Sequence, residues 1–217
     1  MKKLFLAIRH GDLELVKKII EAKPELVNCT AKQPPKKDDG QSPLQVALKT
    51  EQHEIANFLI DAGADLNFIE SETCCNDMRQ PVLFDAITNA VFCSRWNTYH
   101  STLGLEVRST KENADAAYDI LERMLKNGAD INAVDSYGFS AIWHFASDVG
   151  ELLPHYVDSE KRIYSTEREF TDEVREDFTR IYKLLLEYGV DVDYVSPSLG
   201  ETVREFLNTP ALEIIGS

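Results

Sequence analysis

The chain has 217 residues, 43% hydrophobic and 28% charged, and its 37 acidic side chains outnumber 23 basic ones to give a formal charge of −14. Such a composition describes a folded globular chain, and it excludes the basic footprint that non-specific nucleic-acid binding or attachment to an anionic membrane surface requires. A basic or neutral protein partner suits this field, and nucleic acid does not.

In chain order, Lys2 and Lys3 precede a short apolar stretch, Leu4 to Ile8, which Arg9, His10, Gly11 and Asp12 end. A secretory signal needs about 7–15 apolar residues and a small-residue cleavage site, so this stretch reads as the first helix of the fold. No run approaches the roughly 18–20 apolar residues of a membrane span. Cys29, Cys74, Cys75 and Cys93 form no CxxC and have no histidine cluster at zinc spacing. Free thiols in a cytoplasmic monomer are expected, with a redox or metal role for the Cys74/Cys75 pair as the alternative.

One phrase recurs: Gly63-Ala64-Asp65-Leu66-Asn67, Gly128-Ala129-Asp130-Ile131-Asn132 and Gly189-Val190-Asp191-Val192-Asp193. Each follows an apolar helical stretch, where a glycine supplies the left-handed cap. A second phrase lies upstream, Gly40-Gln41-Ser42-Pro43-Leu44-Gln45-Val46-Ala47-Leu48 and Gly138-Phe139-Ser140-Ala141-Ile142-Trp143-His144-Phe145-Ala146. Together they resemble the ankyrin repeat, with its Gly-x-Thr-Pro-Leu-His-x-Ala-Ala opening, outer helix and Gly-Ala-Asp-x-Asn exit. Residues 40–67 match without a gap, and residues 4–28 resemble a repeat lacking its first turn. Further openings start at Pro81 and, in degenerate form, at Gly200. The resemblance implies an all-α solenoid of about five units, near 1–38, 39–70, 71–134, 135–195 and 196–217, with atypical terminal caps. Gln45, Phe84 and Trp143 stand where the family has histidine, which puts the usual hydrogen bond from that position to the neighbouring hairpin in doubt.

Spacing exposes two insertions. Ala47 and Asn67 are 20 residues apart, whereas Ala86 and Asn132 are 46 apart and Phe145 and Asp193 are 48 apart. The third and fourth units therefore carry 26 and 28 extra residues, near 91–112 and 148–170, between their inner and outer helices. Thr166 with Glu169 makes a capping box, and Phe170, Val174, Phe178, Ile181, Leu185 and Tyr188 follow at helical spacing. These features predict a long outer helix of about 22 residues (~33 Å) from near residue 167. Ser109 with Glu112 offers a similar start for the outer helix of the third unit. The first insertion, with Val91, Phe92, Trp96, Tyr99, Leu103, Leu105 and Val107, is expected to cover the stripe of the long helix, with Leu152 to Ile163 packed nearby. The result would be a lateral helical lobe made by both insertions.

Charge is divided. Residues 1–38 carry a net +4 and the remainder −18, and Glu151 to Asp177 hold nine acids against four bases. This is either a solvated face or a flank that steers a basic partner. The basic, proline-containing stretch Lys32 to Lys37 reads as an extended hairpin loop. His144 and His155, near Asp148 and Asp158, match no metal-ligand spacing. No GxSxG, phosphate loop or HExxH occurs, and neither a cofactor nor catalysis is expected.

The resemblance implies a protein partner held on a concave surface of hairpin tips and inner-helix ends. Its matching positions are Arg9 and His10 in the first unit, and Asp39, Gln41, Lys49 and Thr50 in the second. Met78, Gln80, Thr88 and Asn89 follow in the third, then Ser136, Tyr137, Phe139, Ser147 and Asp148 in the fourth. Tyr137 and Phe139 are the expected anchors, Phe139 having the alternative of packing between hairpins. A sharper reading is an inhibitor of immunity type that blocks a basic partner. A different class of answer is a small-ligand or enzymatic site in the lateral lobe, lined by Trp96, Tyr99, His100 and His144.

Overall fold

The computed structural model describes residues 1–100, 102, 104–154, 156–158, 163–164, 167–207 and 211–215. The first helix, α1 (Lys2–Arg9), buries Leu4, Phe5, Ala7 and Ile8, the stripe their spacing dictates. Gly11 then turns the chain at φ 71°, and the Asp12 carboxylate accepts from Leu15 N at 3.0 Å to cap α2 (Leu13–Ala22). In α3 (Pro43–Lys49) a reciprocal Ser42–Gln45 capping box precedes a proline in the first turn. Nearly every residue of this helix is buried, as an inner helix requires. The pattern continues with α4 (His53–Asp61), α5 (Val82–Phe92), α6 (Lys111–Lys126), α7 (Ala141–Leu152) and α8 (Asp172–Glu187). Short helices α9 (Val203–Phe206) and α10 (Ala211–Ile215) end the described chain.

The helices form two rows. Along the inner row α1 packs on α3, α3 on α5, α5 on α7 and α7 on α9. Along the outer row α2 packs on α4, α4 on α6 and α6 on α8. The recurrent glycine phrase has a structural purpose in this stacking. Asn28 Nδ2 donates to Gly63 O (3.1 Å) while its Oδ1 accepts from Asp65 N (2.8 Å). Asn67 repeats the clasp on Gly128 O (3.1 Å) and Asp130 N (2.8 Å). The asparagine of one exit thus holds the glycine and aspartate of the next.

The insertions depart from expectation. Between α5 and α6 the chain forms an antiparallel hairpin, β1 (Asn97–His100) with β2 (Gly104–Val107), pairing Tyr99 with Leu105. A second pair, β3 (Tyr156–Asp158) with β4 (Ile163–Tyr164), lies between α7 and α8. Among the described residues the lobe is therefore made of strand pairs rather than helices, because aromatic and β-branched residues favour strands. The two insertions do meet: Tyr99 N donates to Glu167 O at 2.7 Å, and Asn97 and Glu169 exchange bonds of 2.8 Å. That pairing holds residues 167–169 extended, so α8 begins at Asp172, with the Thr171 hydroxyl accepting from Val174 N, and spans 16 residues rather than 22. Likewise Thr110, not Ser109, caps α6; Ser109 donates to Cys93 O instead.

Tyr99, Leu105 and Val107 of the first insertion are exposed and do not cover the stripe of α8, whereas Val91 is buried within α5 and Phe92 and Trp96 are partly buried against the core. Val174, Phe178, Ile181 and Leu185 are buried, and α8 packs on α5, α6, α7 and α10. Leu103, His155 and Thr166, which figured in the expectations above, lie outside the described residues.

Candidate functional site

The hairpins between helix pairs are tied into a row. Asp39 accepts from Cys75 N at 2.9 Å, and its carbonyl accepts from Asn76 Nδ2 at 3.1 Å. The Cys75 N–H holds this carboxyl below the usual carboxylate range. Further on, Ser136 N donates to Arg79 O (2.9 Å) and Arg79 N donates to Ser136 Oγ (3.1 Å). Tyr194 then donates its hydroxyl to Gly138 O at 2.9 Å.

Under each of the first three hairpins sits a buried carboxylate. Asp38 is paired with the Arg9 guanidinium through Nε at 2.6 Å and through a second nitrogen. Glu70 accepts from Gln80 N at 2.8 Å and from Gln45 Nε2 at 2.9 Å. Asp135 takes Tyr137 N (2.8 Å), Phe139 N (2.9 Å) and His144 Nε2 (3.0 Å). Burial pushes Asp135 up, but the His144 ring and the Phe139 and Tyr137 amides hold it below the ordinary aspartate value. The bond to the neighbouring hairpin, doubted from sequence, is present. Gln45 Nε2 reaches Gln80 O at 3.4 Å and Trp143 Nε1 reaches Tyr194 O at 3.3 Å. Phe84, which has no proton to give, lies against the His144 ring at 4.3 Å.

These roles sort the expected contact residues. Gln41 and Asn89 are buried, and Asn89 bonds to Leu48 O and His53, so neither side chain faces a partner. Arg9, Asp39, Gln80 and Ser136 are engaged within the fold by the bonds above, and Thr50 donates to Val46 O within its own helix end at 2.7 Å. His10 and Lys49 are exposed, as is Tyr137, at 48%.

Met78, Phe139, Ser147 and Asp148 come together around one cavity of about 410 Å³. Trp143 and His144 of α7 complete that side, and Leu199, Val203, Phe206 and Leu207 form the other. The last four were missed in the sequence, although the degenerate opening at Gly200 with apolar residues around it marked the place. Thr88 adjoins the cavity through its hydroxyl, which donates to Asp148 Oδ2 at 2.6 Å. Neither strand pair supplies any of these walls. The Arg108 and Arg168 guanidinium groups lie 6.0 and 5.3 Å from the Trp96 ring centroid, and His144 belongs to the cavity instead. The His100 side chain lies outside the described residues. Among the described residues no group of three or more His, Cys, Asp or Glu is arranged to hold a metal ion, and no helix is long and apolar enough to cross a membrane.

An inner and an outer row of helices, joined by hairpins that hydrogen-bond to one another, define a helix-pair solenoid. Residues 4–94 match the family model of ankyrin repeats (3 copies), so this part of the chain carries ankyrin repeats. The match stops shortly after α5. No curated protein matches the chain in sequence. Ankyrin repeats are generally protein–protein interaction modules.

Proposed function

We propose that the chain binds a protein partner on the face formed by its hairpin tips and inner helices, acting as a monomer without catalysis of its own. The observation that carries this reading is the cavity beside α7, where the exposed apolar side chains of Met78, Leu199 and Phe206 surround an opening at the hairpins. Exposed apolar groups clustered at a concavity mark an interaction site. The −18 charge beyond residue 38 supports a basic partner, steered by field and blocked by occupancy, as an inhibitor of immunity type would do.

The test is affinity capture from the native cell at low and high salt. A basic partner should be retained less well as salt rises. Tyr137→Ala combined with Phe139→Ala should reduce its capture at least about tenfold, the loss expected for interface anchors. Capture that ignores both residues would remove this face from the reading, and a partner whose activity is untouched by binding would remove the inhibitory role.

A further inference from the structure

The cavity beside α7 is not uniformly apolar. Phe139, Trp143 and Phe206 follow one another at centroid separations of 5.4 Å, and Phe206 is 53% exposed. Among these rings stands a single carboxylate, Asp148. Its one hydrogen bond among the described residues comes from Thr88, and no Lys or Arg among them pairs with it. The other titratable group on the wall, His144, has its Nε2 proton committed to Asp135. Burial pushes Asp148 up to about 6, against the Thr88 hydroxyl and His144, which lower it, while Glu151 raises it. Asp148 is only partly exposed, and its carboxylate has given up part of its water for one hydroxyl. Such a group is costly in the free protein, and an incoming cation would offset that cost.

We propose that this cavity receives one arginine side chain of a partner protein, its guanidinium lying against the Trp143 and Phe206 rings and donating to Asp148. The inference rests on the protein-binding reading above and specifies the chemistry of that site. A guanidinium is planar, weakly hydrated and able to stack on aromatic faces while its N–H groups meet a carboxylate; a lysine ammonium is a compact, strongly hydrated charge. A volume of about 410 Å³ is in the range that takes a small ligand or single side chain. The acidic remainder of the chain brings a basic segment to it.

The experiment is a titration of the isotope-labelled full chain with N-acetyl-arginine methylamide, read at the Trp143 indole and at the amides of α7. The same titration is run with the citrulline derivative, which keeps the shape and loses the charge, and with the lysine derivative. Arginine should give saturable shifts, with lysine at least about threefold and citrulline at least about tenfold weaker. Asp148→Asn retains an oxygen for Thr88 and should abolish the response with the remaining spectrum unchanged. Phe206→Ala, at an exposed position, should weaken it severalfold. Equal affinity for citrulline or lysine, or the absence of saturable shifts at Trp143, overturns the proposal. If a partner is captured equally by Asp148→Asn yet still needs Tyr137 and Phe139, the binding face stands and the arginine pocket falls.

Discussion

The side-chain amide of Gln45 on α3 donates to the carboxyl of Asp85 on α5 at 3.0 Å, a bond between neighbouring inner helices that is buried at both ends. The same nitrogen also serves Glu70, and Gln80 Nε2 reaches the other Asp85 oxygen at 3.0 Å. Burial, and then the nearby Glu70 charge, push Asp85 up to about 7, against Lys49, Gln45 and Gln80, which lower it. An unfolded aspartate titrates near 3.9. Between about pH 4 and 7 the folded chain thus keeps a proton that the unfolded chain releases, and the stability contributed by Asp85 falls as pH rises through that window.

Chemical unfolding at pH 5 and pH 8 should expose about 2–3 kcal/mol of this term. Other groups titrate nearby. Asp148 acts in the same direction, and His53, pushed down by burial, acts in the opposite one by losing stability as pH falls. Comparison with Asp85→Asn, which still accepts from Gln45, isolates the effect: the variant should gain on the wild type as pH rises from 5 to 8. A difference that is flat with pH rejects the assignment.

Arg95 provides a second test. Its backbone N–H and Nε both donate to Asp177 Oδ2 at 2.9 Å, and a terminal nitrogen meets Oδ1 at 2.9 Å. Asp177 is 1% exposed. Removing one partner of a buried pair leaves the other charge uncompensated, at about 3–5 kcal/mol, and Arg180 at 3.3 Å offsets only part of this. Arg95→Ala should therefore lower the unfolding free energy by about 2–4 kcal/mol, measured by urea titration. A change below about 1 kcal/mol would place the pair with weak surface bridges.

Two glycines with the same backbone separate conformation from crowding. Gly40 and Gly63 have φ of 83° and 88°, but a Cβ on Gly40 would lie 2.4 Å from the Cys74 Cβ while one on Gly63 meets nothing within 4 Å. Gly63→Ala should cost only the left-handed penalty, about 1–2 kcal/mol. Gly40→Ala should cost clearly more and loosen the hairpin contact of Asp39 with Cys75. Hydrogen exchange at the Cys75 amide, which Asp39 holds, is the second readout.

Thr171→Ala should destabilise by about 1 kcal/mol, the usual value of an N-cap, with the loss of protection confined to the first turn of α8 in hydrogen exchange. Unchanged protection there would move the start of the helix elsewhere.

The repeat array was legible because its phrases are local. A glycine at a left-handed cap and an asparagine that clasps the next exit need only their own few residues, so Gly63, Asn67, Gly128 and Asp130 announce themselves. The insertions were not legible for the opposite reason. Phe170, Val174 and Phe178 fit one helical stripe, yet residues 167–169 are drawn into pairing with β1, a partner about 70 residues earlier, and tertiary contact overrides local period. At the cavity, Met78, Phe139 and Asp148 could be placed by family register. Phe206 and Leu199 could not, because the final unit has lost most of its motif. The burial of Gln41 and Asn89 depends on neighbouring hairpins and helices that a single repeat does not reveal.

The tie between β1 and residues 167–169, together with Arg95 and Asp177, has a mechanical consequence. In a linear stack each unit meets only its neighbours, and unfolding spreads from the weakest junction. Here the junction between the neighbouring pairs α5–α6 and α7–α8 carries a diagonal contact, α5 on α8, besides the inner and outer rows, so these two pairs are cross-braced while α1 to α4 rely on ordinary stacking. Pulled from both ends, the molecule should lose α1 to α4 before the braced block of α5 to α8 yields.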